Sequence, residues 1–222
     1  MAVSELRRGR GPGRRAGRRK IVVLEAAGRV IAERGADATR FTDVAAESGV
    51  PVSTLQYYFG SREDLLVAAF RHASGAEVAA LQAEVAALSD PWEQLERIVA
   101  RALAGYQPPG KDAAQDPGKG TAQDAGRLWI ESWHFGIRDP EMRADTLRDY
   151  DAWRRLVADA VRRGVEQGSF GGGPSLSPER VAVLAIALVD GMGIPLALGD
   201  PQITMAGAVA DVLATLRSLL GS

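Results

Sequence analysis

Residues Thr39 to Tyr58 hold two short helical segments hinged at Ser48-Gly49-Val50, and this pair constrains the chain more than any other stretch. Thr39 is a good N-cap for the first segment, which carries Val44, Ala45 and Ala46. The second starts near Pro51, a residue suited to a first helical turn, and runs to Tyr58. Within it Leu55 and Phe59 stand four apart and are expected to face inward. That leaves Val52, Ser53, Gln56 and Tyr57 near the outward face. Two helices joined by a tight glycine turn read DNA when the second offers a compact polar face, because only the major groove distinguishes all base pairs. Gln56 can read adenine or bond a phosphate, and Arg62 sits at the next helix N-terminus, itself an attractor of phosphate.

The remaining pattern is helical throughout. Arg18 to Arg34 sets Val23, Ala26, Ala27, Val30 and Ile31 on one side and stops at Gly35. Ser61 and Asp64 predict a capped start for a long helix reaching Leu88. Further helices are expected from Pro91 to about Tyr106, Gly126 to Ile137, Pro140 to Gln167, Pro178 to Leu198 and Gln202 to Leu220. No segment sustains apolar–polar alternation, so no sheet is expected. The predicted fold is all-α with about nine helices. It divides into a three-helix head over 18–62 and a helical bundle over 63–222 for ligand binding and dimerisation. Residues 1–17 read as a disordered arginine-rich arm that tracks phosphate or enters the minor groove. Residues 107–125, rich in Pro, Gly, Asp, Lys and Gln, read as a mobile loop.

Charge is unevenly spread. The chain is −1 overall, yet Met1 to Leu66 carries 12 Lys/Arg against 8 Asp/Glu, and the rest carries 15 against 20. A polyanion partner is therefore expected at one end only. The absence of cysteine excludes disulfides and thiolate chemistry and fits a reducing cytoplasm. The apolar stretch after the basic start is broken by Glu25 and Arg29, so it is not a signal peptide. Val181 to Leu198 is long enough to suggest a membrane span, but Asp190, Gly191, Gly193 and Pro195 interrupt it, and a buried helix with no membrane partner is expected.

The stretch Val22 to Leu66 resembles the TetR family of transcriptional regulators. It carries Ala26-Ala27, Ala32-Glu33-Arg34-Gly35, Asp43-Val44-Ala45, Ser48-Gly49-Val50 and Tyr57-Tyr58-Phe59 in the family's order and spacing, and Asp190-Gly191-Met192 echoes a motif of the penultimate helix. The resemblance implies a homodimer whose two heads meet successive major grooves, and a small effector in each body that changes their spacing. By position it implies DNA contact from Arg40 or Phe41, Val52, Ser53, Thr54, Gln56, Tyr57 and Arg62. Two positions depart from the pattern: Gln56 stands where many relatives carry an aromatic residue, and Val52 where lysine is frequent. With so few positive charges on the reading helix, affinity is expected to lean on the arm and on backbone contacts.

In the body, Tyr106, Trp129, Trp133, His134 and Trp153 form the candidate ligand pocket, suited to an apolar or flat molecule between helices. Asp190 lies inside an apolar helix and needs a partner, since a lone buried carboxylate is costly; a structural role is expected. Val181, Leu184 and Leu188 with Val209, Val212, Leu213 and Leu216 make the candidate dimer surface, two helices from each subunit about a two-fold axis. No catalytic residue, cofactor or metal site is expected. His72 and His134 have no ligand partners in spacing, Gly171-Gly172-Gly173 has neither a preceding strand nor a following lysine, and no nucleophile stands beside a base. The expected function is a repressor released from operator DNA by a small apolar or aromatic ligand; the alternative is an activator or a regulator whose body receives a protein.

Overall fold

Nine α-helices and no strand occur among residues 12–107, 122–170 and 176–221, the part of the chain that the computed structural model describes. The helices are α1 (Pro12–Arg34), α2 (Phe41–Ser48), α3 (Val52–Phe59), α4 (Arg62–Ala86), α5 (Pro91–Ala104), α6 (Ala122–Arg138), α7 (Pro140–Glu166), α8 (Pro178–Leu198) and α9 (Met205–Leu220). The chain separates into two units, Met1–His72 and Ala73–Ser222, with the division falling inside α4.

The head unit is built on small residues. Ala26, Ala27 and Ile31 of α1, Val44 of α2, Leu55 of α3 and Leu65 and Leu66 of α4 are fully buried. Alanines at the α1 contact let short helices approach closely, so eight-residue helices with little intrinsic stability are held by packing. Ser61 caps α4 as its sequence predicts: its Oγ accepts from the Asp64 N–H at 3.0 Å, and its hydroxyl donates to Asp64 Oδ2 at 2.6 Å.

Two expectations for this unit are corrected. Arg40, not Thr39, occupies the N-cap of α2; Thr39 is fully buried and its hydroxyl donates to the Gly35 carbonyl at 2.8 Å. The Asp43 carboxylate accepts from the Arg40 N–H at 3.0 Å and does the capping that the sequence pattern assigns to Thr39. The second correction concerns the arm. Helix α1 begins at Pro12, so residues 12–17 are helical. Arginine is a good helix former and proline suits a first turn, which outweighs Gly13 and Gly17 once the core-facing end of α1 is anchored. Residues 1–11, the rest of the predicted arm, lie outside the described residues, as do 108–121 of the predicted loop; its last residues, from Ala122, are helical.

In the body unit, Leu81, Leu95, Ile98, Leu103, Val157, Ala160, Val181, Ala182, Val212 and Leu216 share one core. Helix starts are fixed by Asp90, Asp139, Ser177 and Thr204, each accepting from a backbone N–H of the turn it opens. Buried Gln94 donates to the Leu88 carbonyl at 2.7 Å and accepts from Arg163 Nε at 2.9 Å, which ties α5 to α7. Helix α8 is long and apolar enough to cross a membrane by length and composition, yet Val181, Ala182, Ala185, Ile186, Val189 and Leu196 are buried within the unit.

That burial corrects the predicted association surface. Val181, Val212, Leu213 and Leu216 face the chain's own core and are not available to a partner. Leu184, Leu188 and Val209 are half-buried, and beside them Ala187, Gly191, Ile194 and Leu198 of α8 and Ala206 and Ala210 of α9 are exposed or nearly so. Both faces of α8 are apolar, so periodicity cannot tell inward from outward there.

Candidate functional site

In the head, Gly49 takes the left-handed conformation at φ 68° and its N–H donates to the Ala45 carbonyl, which ends α2 and turns the chain into α3. Leu55 and Phe59 point into the core as their spacing predicts. Ser53, Gln56 and Tyr57 are exposed, and Val52 and Thr54 are half-buried. Tyr57 stands out with 86% of its surface exposed. Arg40 is exposed and Phe41 half-buried at the start of α2.

Arg62, expected to contact phosphate, is engaged within the head. Its Nε donates to the Thr39 carbonyl at 2.6 Å, its Nη2 donates to the Ala36 carbonyl, and its Nη1 pairs with Glu63 at 3.2 Å. The guanidinium therefore clamps the loop that leads into α2, giving the Thr39 carbonyl a donor and the Ala36 carbonyl a second one beside the Thr39 N–H.

In the body, side chains from α6, α7, α8 and the end of α5 form a second constellation. Trp129 and Trp133 of α6 meet at 5.7 Å between ring centroids, as their i, i+4 spacing predicts. Tyr150 of α7 joins both, 5.1 Å from Trp129 and 6.2 Å from Trp133, lying within 4° of parallel to the latter. Tyr106, just past the end of α5, is buried and donates its hydroxyl to Asp190 Oδ1 at 3.2 Å, while the Tyr150 hydroxyl donates to Asp190 Oδ2 at 2.8 Å. Arg154 of α7 lays its guanidinium 5.1 Å from the centre of the Tyr150 ring.

Two of the residues predicted to line a pocket make none of the ring contacts just described. His134 is exposed, and Trp153 is half-buried against the body core. Tyr150 is a member that the sequence pattern does not reveal. The one signal pointing to it is Asp190 itself, whose carboxylate in an apolar helix requires donors from neighbouring helices.

Burial pushes the Asp190 carboxyl above the usual carboxylate range, against the opposing pull of the Tyr150 and Tyr106 hydroxyls, the Arg154 charge and the Trp129 indole. Burial first, then the Asp190 charge, raises both phenols far above ordinary tyrosine, so they act as donors and never as phenolates. Aromatic faces with negative quadrupoles thus stand beside a carboxylate, with the Arg154 guanidinium over one of the rings. Gly193 makes this arrangement possible. A Cβ there would lie 2.6 Å from the Tyr106 ring, so only glycine lets Tyr106 settle against α8 at this level. Next to the cluster, Trp133 also lines an open cleft of about 360 Å³ with Gly136, Ile137, Arg143, Thr146 and Leu147.

Comparison with known families decides what the two constellations belong to. Residues 23–69 match the tetR family of bacterial regulatory proteins, and residues 112–221 match the C-terminal part of BetI-type transcriptional repressors. The chain belongs to the TetR family of transcriptional regulators. It is a regulator and not an enzyme. Among characterised members it is similar to the HTH-type transcriptional regulator BetI of Rhizobium meliloti (strain 1021), 27% identical over 194 residues, 86% of this chain and 84% of that one. Among solved TetR-like folds, a transcriptional regulator of Saccharomonospora viridis in complex with choline is 26% identical with a TM-score of 0.75, covering 90% of this chain and 96% of that one. FadR of Bacillus subtilis, solved with stearoyl-CoA, shares the TetR fold with a TM-score of 0.66, 17% identity, and coverage of 88% and 96%.

Proposed function

We propose that this TetR-family regulator is a repressor released from its operator by a small quaternary ammonium compound of the choline class. The observation that carries the reading is the meeting of Trp129, Trp133 and Tyr150 with the Asp190 carboxylate. A methylated ammonium cannot donate hydrogen bonds, so it is recognised by aromatic faces and a nearby negative charge, and this cluster offers both. A flat neutral molecule would make no use of the Asp190 charge, which narrows the apolar or aromatic ligand expected from sequence. The similarity of the body to BetI-type repressors and to a choline-bound regulator supports the same reading. The open cleft lined by Trp133 supports an approach from solvent on that side of the cluster. On the DNA side, Arg40, Phe41, Val52, Ser53, Thr54, Gln56 and Tyr57 form the reading face, and the exposed small residues of α8 and α9, with Leu184, Leu188 and Val209, form the homodimer contact. The protein acts in the cytoplasm, where operator DNA is found.

The test is operator binding with and without choline. Choline is expected to release the operator from the wild type and to fail with Asp190→Asn, which keeps the shape and removes the charge. Release that survives Asp190→Asn unchanged defeats the reading. The pH dependence has a fixed sign. Because a cation favours ionised Asp190, choline should bind less tightly as pH falls from neutral through the raised Asp190 value toward the ordinary 3.8. The unliganded body should gain stability over the same window, because a carboxyl whose folded value is raised contributes stability that is lost as pH rises through it. Isothermal titration and thermal melts at several pH values read the two opposite trends.

Tyr57→Ala tests the reading face. With 86% of the residue exposed, stability should stay within about 0.5 kcal/mol of the wild type while operator affinity falls about tenfold. Undiminished binding in an electrophoretic shift would remove Tyr57 from the interface.

A further inference from the structure

Among the described residues, two N–H donors beside the Tyr150 ring have no acceptor. Trp133 Nε1 and Arg154 Nε are both buried and both without a hydrogen-bond partner. Their neighbourhoods overlap at one ring, since Trp133 is stacked parallel to Tyr150 and the Arg154 guanidinium lies 5.1 Å from its centre. The nearby carboxylate does not satisfy them, because the Asp190 oxygens accept from the Tyr106 and Tyr150 hydroxyls. Asp151 accepts from the Arg154 fork at 3.3 Å, but from Nη1, which leaves Nε untouched. Buried donors are ordinarily paired, and a charged one left unpaired is the more costly kind. The site thus holds more than a cation requires: an aromatic and anionic half, and beside it a half that donates.

Resting on the reading of the cluster as a quaternary ammonium site, we infer that Arg154 is a specificity-determining residue that selects zwitterionic ligands, a quaternary ammonium bearing a carboxylate, over bare cations. The ammonium lies against Trp129, Tyr150 and Asp190, and the carboxylate accepts from Arg154 Nε and Trp133 Nε1. A bare cation brings a second positive charge next to Arg154 in a partly desolvated site where screening is weak, and it leaves both donors unpaired. A zwitterion brings no net charge, and the acceptor it carries is the one the site lacks. Arginine suits the role because its planar fork binds carboxylate while its face rests on an aromatic ring.

The experiment titrates the full-length protein with tetramethylammonium, choline and trimethylglycine, followed by tryptophan fluorescence and calorimetry. Wild type should bind trimethylglycine more tightly than tetramethylammonium. Arg154→Gln should weaken trimethylglycine about tenfold or more while leaving tetramethylammonium equal or tighter, so that the order reverses. Trp133→Phe keeps a stacked ring and removes the N–H but is a weaker cation face, so it should weaken tetramethylammonium slightly and trimethylglycine by a clearly larger factor. Arg154→Lys keeps the charge without the fork and should fall between, so the comparison stays decisive even if the glutamine variant does not fold. Loss of both ligands by the same factor, or an unchanged ratio, overturns the selection by Arg154 and leaves the cation site standing. Failure of all three compounds to bind the wild type overturns the cation site and this inference with it.

Discussion

Gly193→Ala should destabilise the body and blunt its response to choline, whereas Gly191→Ala, two residues earlier on the same helix, should be neutral or stabilising. The contrast follows from what each new Cβ meets. At Gly193 it would stand 2.6 Å from the Tyr106 ring, and that ring is buried and has no free direction of retreat. At Gly191 nothing lies within 4 Å. Helix propensity alone favours alanine over glycine by about 1 kcal/mol at either position. At Gly193 the overpacking cost of about 1–3 kcal/mol works against that gain and forces Tyr106 away from α8. The consequence extends past stability, because the same movement withdraws the Tyr106 hydroxyl from Asp190. A thermal melt reads the first effect and a choline titration the second. Equal behaviour of the two alanine variants would mean that Tyr106 relaxes without consequence.

The second large effect is expected in the head. Arg62→Ala should cost operator binding through the fold and not through a lost phosphate contact. Its guanidinium spans the carbonyls of Thr39 and Ala36, residues that are essentially fully buried. Removing it takes away charge-assisted bonds of roughly 1.5–3 kcal/mol and leaves the buried Thr39 carbonyl without its donor, while the Ala36 carbonyl keeps the Thr39 N–H. Lysine should rescue only in part, since a single ammonium does not reproduce the fork. Salt dependence separates the two roles. A lost phosphate contact lowers the slope of log affinity against log salt by about one, whereas a lost clamp lowers affinity with the slope unchanged. Hydrogen exchange should show faster opening of α2 and the turn before it, with choline binding to the body intact. A reduced slope in a fully folded head would return Arg62 to the DNA backbone.

How much of this is legible in the sequence depends on whether a residue's role is local. The helix-turn-helix follows from neighbours: Gly49 between two short apolar-periodic segments, Leu55 and Phe59 one turn apart, and Ser61 with Asp64 as a cap. The Trp129–Trp133 contact is local in the same sense, being one helical turn. What the pattern hides is set by contacts across the chain. Tyr150 and Asp190 are 40 residues apart and Tyr106 and Asp190 are 84 apart, separations over which no periodicity operates. The bond from Arg62 back to Ala36 spans 26 residues, so its N-terminal position on α4 suggests phosphate when its partners are carbonyls behind it. Helix α8 misleads for another reason. With Val181 buried and Leu184 half-buried on a helix apolar all round, the pattern holds no information about which side meets a partner.

The single carboxylate of Asp190 has an evolutionary corollary. Standing on α8, it accepts from a tyrosine just past α5 and another on α7, so the group we propose to recognise ligand charge is also the pin that joins these helices. A lineage drifting toward an uncharged effector cannot simply discard Asp190, because both hydroxyls would lose their acceptor at once. Adaptation would have to pass through Tyr106 and Tyr150 first, for example by phenylalanine at each, before the charge could be surrendered. Descendants that retain both tyrosines should therefore retain a taste for positive charge, however far their reading heads have diverged.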